Sequence, residues 1–134
     1  MPPKVTAPPS DGESLEPGER ALGSWPAEPV RTDGGTDRVG RLVLTSHRVL
    51  FFGSAGLFGR RSGVRPPMFT FPLERLSVQL AQYWMTVGYG DRVEMPGLVL
   101  DGHGFRLARE TPAGPVKDAL VRAREARRAE LSRS

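Results

Sequence analysis

The chain has no cysteine, which excludes a disulfide framework, thiol catalysis and thiolate-bound zinc. Isoleucine and asparagine are absent too, and only Lys4 and Lys117 are lysines, so 17 of the 19 basic residues are arginine. That bias is what a GC-rich coding sequence produces, and it robs the high pI, near 10.3, of most of its meaning as a sign of nucleic-acid binding. No apolar run approaches the roughly 18 residues of a membrane-spanning helix. The amino terminus has neither the basic start nor the apolar centre of a secretion signal. The expectation is a cytoplasmic protein, soluble or peripheral to a membrane.

What is present is one modest domain. The 134 residues leave room for a single core, and the 13 prolines concentrate in the first residues and in loops. Residues 1–14 are rich in Pro, Ser and Gly and almost free of large apolar side chains. They cannot offset the entropy of being ordered, and are expected to form a flexible tail. Residues 15–131 then form the domain. Charge is uneven: residues 1–37 carry three basic and seven acidic side chains, and no acid occurs between Asp37 and Glu74.

The clearest element is the stretch Arg41–Phe52, RLVLTSHRVLFF, two apolar runs around a short polar turn. Alternation along it predicts a β-hairpin, with both faces of the second strand buried. Further strands are expected at Glu19–Ala27, with Leu22 and Trp25 available to the core, and at Met68–Leu73, Leu76–Ala81 and Tyr83–Gly88. A last hairpin, Leu98–Asp101 with Phe105–Ala108, turns around Gly102-His103-Gly104. From Thr111 the pattern becomes helical. Thr111 is placed to cap, and Val116, Ala119, Leu120, Ala123 and Ala126 share one face over about 112–131. Arg127 and Glu130 then fall on that same face, so the last two turns are expected to project into solvent.

The hairpin residues Gly40, Leu42, Leu44, Thr45, Arg48, Val49, Leu50 and Phe51 resemble the core of the GRAM and pleckstrin-homology-like (PH-like) family. Two further segments stand in family order: Pro17-Gly18-Glu19 at the first strand, and Phe69-Thr70-Phe71-Pro72-Leu73. The resemblance implies a mainly β fold, a PH-like barrel of about seven antiparallel strands in two near-orthogonal sheets, capped by a C-terminal helix. It also implies a non-catalytic module that binds membrane lipid or a protein through its loops. The Lys/Arg cluster of phosphoinositide-binding members is missing, because the loop Val30–Asp37 sets Arg31 beside Asp33 and Asp37. Arg38 and Arg41 are its only remnants.

Catalysis finds little footing. His47 and His103 each fall in an expected turn with no nucleophile, relay or metal-ligand spacing around them. Gly88-Tyr89-Gly90 lacks the third glycine and following helix of a phosphate loop. The carboxylates Asp91, Glu94, Asp101 and Glu110 sit in polar surface contexts. No cofactor is expected. Binding is better represented, by the segment Gly53–Pro67, where Leu57 and Phe58 stand beside Arg60, Arg61 and Arg65. Inserted in an anionic membrane, the apolar pair would enter the lipid while the cations meet headgroups, each worth about 1 kcal/mol. Folded back, the same pair would cover the barrel and leave the arginines solvated. A nucleic-acid role for the helix, which has six basic and three acidic residues from Pro112 to Ser134, is the alternative function. The interspersed acids and the lack of a known motif argue against it. Tyr83-Trp84 would mark an interface if both side chains were exposed together.

Overall fold

The computed structural model describes residues 15–32, 39–53 and 67–133. These form seven antiparallel strands and one long helix: β1 (Ala21–Pro29), β2 (Gly40–Thr45), β3 (Arg48–Gly53), β4 (Phe69–Pro72), a 3₁₀ turn (Leu73–Arg75), β5 (Val78–Val87), β6 (Asp91–Leu100), β7 (His103–Leu107) and α1 (Ala113–Ser132). All strands belong to one sheet in the order β4-β3-β2-β1-β7-β6-β5, and β4 and β5 are its unjoined edges. The expected tail, residues 1–14, lies outside the described residues.

The β2–β3 hairpin pairs as its sequence suggests, Leu42 with Phe51 and Leu44 with Val49. Those four side chains enter the main core with Phe71, Leu98, Phe105 and Leu120. On the opposite face Val43, Leu50 and Phe52 form a second buried cluster, so both faces of β3 are covered. Each such side chain contributes about 1.5–3 kcal/mol on burial.

The sheet bends back over its own core. Phe51 on β3 and Phe105 on β7 are three strand steps apart, about 14 Å in a flat sheet, yet their ring centroids are 5.4 Å apart. Phe69 on β4 is a step further away and meets Phe105 edge-on at 5.5 Å. His103, expected in a turn, instead opens β7 and packs on Phe69 at 5.0 Å. The turn before it is Asp101-Gly102, both with positive φ (50° and 84°). This is the two-residue turn that matches the twist of a hairpin.

Other boundaries differ from the sequence expectation for identifiable reasons. Leu22 is the extra residue of a bulge in the β1–β2 register and is half exposed, so it leaves the core to Trp25, which packs against it. The segments expected at Leu76–Ala81 and Tyr83–Gly88 are one unbroken strand, β5. Its partner β6 begins at Asp91, well before the expected Leu98. Pro96 lies within β6, and pairing with β7 begins only at Gly97–Arg106.

On the helix, Val116, Leu120 and Ala123 are buried, as their spacing requires. The N-cap is Pro112, without a side-chain bond, and not Thr111. From Ala126 to Arg133 every residue but Arg127 is exposed, as expected of the last two turns, yet arginines tether this end of the helix. Ala126 is exposed, while Arg124 donates to the Leu76 carbonyl at 3.0 Å and Arg128 to that of Glu74 at 3.1 Å. Arg127 faces the Glu74 carboxylate at 3.9 Å. The cations thereby tie the helix to carbonyls left open around the 3₁₀ turn. No described helix is long and apolar enough to cross a membrane.

Candidate functional site

The sequence-predicted contact residues Leu57, Phe58, Arg60, Arg61 and Arg65 lie outside the described residues, as do Asp33, Asp37 and Arg38 of the β1–β2 loop. Of the remnants on β2, Arg41 is exposed and donates to Ser24 Oγ at 3.0 Å. Three other places in the fold gather chemistry-bearing side chains.

The first is where the chain enters β1 beside the β2–β3 turn. Glu19 is buried and takes both arms of Arg48, Nε to Oε2 at 2.9 Å and Nη2 to Oε1 at 3.1 Å. The Thr45 hydroxyl donates to Oε2 at 2.5 Å and the Glu16 N–H to Oε1 at 2.7 Å. Thr45 Oγ1 also accepts the N–H groups of His47 and Arg48, which closes the turn. Burial alone would push the Glu19 carboxyl up. The hydrogen bonds from Arg48, Thr45 and Glu16, with the Arg48 charge, outweigh it and hold the carboxyl below its ordinary value. Glu16, Glu19 and His47 offer donor atoms within 4.8 Å of one another. A cation there would have to displace the Arg48 guanidinium that already neutralises Glu19, so the donor set fits a structural lock and not a metal centre. His47 is correspondingly more covered than a free turn histidine, its ring facing Glu16 Oε1 at 3.2 Å.

The second is a small apolar cleft of about 140 Å³. Pro26, Val39, Met85 and Met95 line it, and the Glu28–Arg106 ion pair stands at its side. It is smaller than the roughly 300 Å³ at which pockets begin to enclose drug-sized ligands. It matters because Met95, only 6% exposed, anchors the third place.

That third place is a two-stranded ribbon. Pro96 has no N–H to give on the side of β6 that faces β7, so pairing with β7 stops at Gly97, and β5 and β6 continue alone to the turn Gly88-Tyr89-Gly90. Tyr83 holds its base. The ring lies over Gly97 and Gly104, where a Cβ would come within 2.3 Å of the ring and 2.4 Å of the hydroxyl, respectively. Burial raises the pKa of this phenol. Tyr83 and Trp84 therefore separate to opposite faces, and the condition that both be exposed together is not met. Trp84 instead stands 50% exposed, with the Arg92 guanidinium 5.1 Å from its ring centroid. Leu80, on the same face at the foot of the ribbon opposite Leu98, is 54% exposed, and Tyr89 at the tip is fully exposed. Sequence reading missed this surface because it broke β5 in two. The ten-residue run VQLAQYWMTV, free of charge, Gly and Pro, was the available signal.

No protein-family model matches the chain, and no curated protein matches it.

Proposed function

We propose that the chain is a non-catalytic interaction module of PH-like, GRAM-type architecture that recognises a protein partner through the β5–β6 ribbon. The resemblance in the hairpin, in Pro17-Gly18-Glu19 and in Phe69–Leu73 supports the architecture. So does the strand order, in which β1 pairs with both β2 and β7. In this reading the bent sheet is a barrel of two near-orthogonal layers meeting along β1, with α1 filling the open end. The contacts of Phe51 and Phe69 with Phe105 accord with it.

The observation that carries the binding reading is the placement of Leu80, Trp84 and Tyr89, three large exposed side chains, on one projecting hairpin. The test compares wild type with a Leu80→Ser, Trp84→Ser variant whose circular dichroism and urea midpoint are retained. Immobilised wild type should hold a protein from the source cell extract that the variant releases, and neither should sediment with phosphatidylserine liposomes. Liposome binding that is lost with Leu57→Ser, Phe58→Ser and indifferent to the ribbon variant would overturn this reading in favour of membrane attachment by the Gly53–Pro67 segment.

A further inference from the structure

The two edges of the sheet are built differently. β4 is four residues long and ends in Pro72, followed at once by the 3₁₀ turn, a short edge of the kind that resists further pairing. β5 is ten residues long and carries no charge and no proline. Its free side can be read from the register. Ser77 C=O accepts the Asp101 N–H at 3.0 Å, and pairing then runs without a shift from Val78–Leu100 to Val87–Asp91. Backbone groups alternate in direction along a strand, so the odd-numbered residues of β5 bond to β6. The N–H and C=O groups of Leu80, Gln82, Trp84 and Thr86 point outward, and among the described residues no strand meets them.

We propose that this edge pairs with the same edge of a second copy, antiparallel, about a twofold axis at Gln82. The inference rests on the reading of the ribbon as an interaction surface. Pairing about Gln82 sets Gln82 opposite Gln82 of the second copy, Leu80 opposite its Trp84 and Trp84 opposite its Leu80. The register thus joins the two large half-exposed side chains of this face, which stand two residues either side of the axis. It also uses the outward N–H and C=O groups as hydrogen-bonded pairs. The Gln82 side chain is drawn away from the axis by its bond to Glu94 on β6, leaving the centre open. No charged residue lies on either β5 to oppose the approach. The charged residues of the two β6 strands would be at least three strand spacings apart, about 14 Å, and largely screened at physiological salt. One strand per copy makes a small interface, below about 1,200 Å² in total, so a concentration-dependent dimer is expected.

The experiment uses the absence of cysteine. Gln82→Cys gives a single thiol at the proposed axis, where facing Cα atoms of a hydrogen-bonded pair lie about 5.5 Å apart, within disulfide range. Thr86→Cys gives one that would face Val78. Under mild oxidation Gln82→Cys should be trapped as a covalent dimer and Thr86→Cys should remain monomeric. Sedimentation equilibrium of wild type should show reversible dimerisation that Gln82→Pro abolishes while its intact circular dichroism reports a folded chain, since the N–H removed points away from β6. Wild type that stays monomeric over two decades of concentration would overturn self-pairing, as would equal trapping at both positions or no trapping at Gln82→Cys. A monomer that still loses its extract partner on Leu80→Ser, Trp84→Ser would leave the interaction module standing and remove only the second copy.

Discussion

Replacing Arg48 with Met tests the reasoning about the entrance lock most directly. Met keeps an apolar stem of similar reach but removes the cation, and the Arg48 backbone N–H can still bond to Thr45. Glu19, whose side chain is fully buried, would retain only the Thr45 hydroxyl and the Glu16 N–H. Breaking a buried pair from one side costs about 3–5 kcal/mol, because the remaining charge stays buried without a counter-ion. Near neutral pH the urea midpoint of Arg48→Met should fall by that equivalent. Glu19→Gln combined with Arg48→Met removes both charges and should recover a large part of the loss.

Acid supplies a second, independent signature. In wild type the folded Glu19 pKa is depressed, so its stabilisation is present above the unfolded value of 4.5 and is lost as pH falls through the lower folded value. In Arg48→Met the guanidinium's hydrogen bonds and charge are gone and burial is opposed only by the Thr45 and Glu16 bonds, so the folded pKa moves up. The variant's penalty is then largest at neutral pH and is relieved as the carboxyl protonates. The two stability curves should converge on acidification towards about pH 4. Glu16 and His47 border the cluster in both proteins, so the difference isolates Glu19. A gap that stays constant with pH, or a double variant as unstable as Arg48→Met alone, would refute the lock.

Phe51→Ala should cost about 3–5 kcal/mol by urea unfolding, since Phe51 is fully buried and joins β3 to β7 through Phe105. An unmoved midpoint would place the centre of the core elsewhere. Gly97→Ala puts a methyl group into the Tyr83 ring and against the Phe105 carbonyl, at a cost of about 1–3 kcal/mol. With Tyr83→Ala already in place the same change should cost measurably less, and a strictly additive pair would show that Tyr83 does not seat on that glycine.

The β2–β3 hairpin was legible because its information is local: alternation, a four-residue turn and apolar side chains on both faces. The six residues Leu42, Leu44, Val49, Phe51, Phe71 and Leu120 stood at core spacing in the sequence, and all are in the main cluster. The helix face was legible for the same reason through Ala123; Ala126, expected on it, is exposed, and at Arg127 the stripe stops being apolar. What takes over there is a set of arginine bonds to carbonyls about 50 residues upstream, and no periodicity records such partners. The lock is similar. Glu19, Thr45 and Arg48 were each part of the resemblance, but nothing in their spacing stated that one carboxylate would receive the other two. The strand order waited on the fold, because the joining of β1 to β7 is a long-range pairing that local pattern does not encode.

The ribbon escaped reading through an inversion of the usual rule for sheet edges. Exposed edges are ordinarily marked by charge or proline, and interior strands by their absence. Here Asp91, Arg92, Glu94 and Pro96 all fall on β6, the inner strand of the ribbon, and β5 at the edge carries none. A charged, proline-containing β6 looks like a loop in the sequence, and a charge-free β5 looks like buried strand. A two-stranded ribbon is marginal alone, and this one is held by Tyr83 across Gly97 and Gly104, by Met95 in its cleft and by Arg92 on Trp84. All three devices act at the β6 side or on the faces. None covers the outward backbone of β5, so among the described residues the ribbon is braced while its edge stays unpaired, the arrangement on which the proposed strand-to-strand recognition rests.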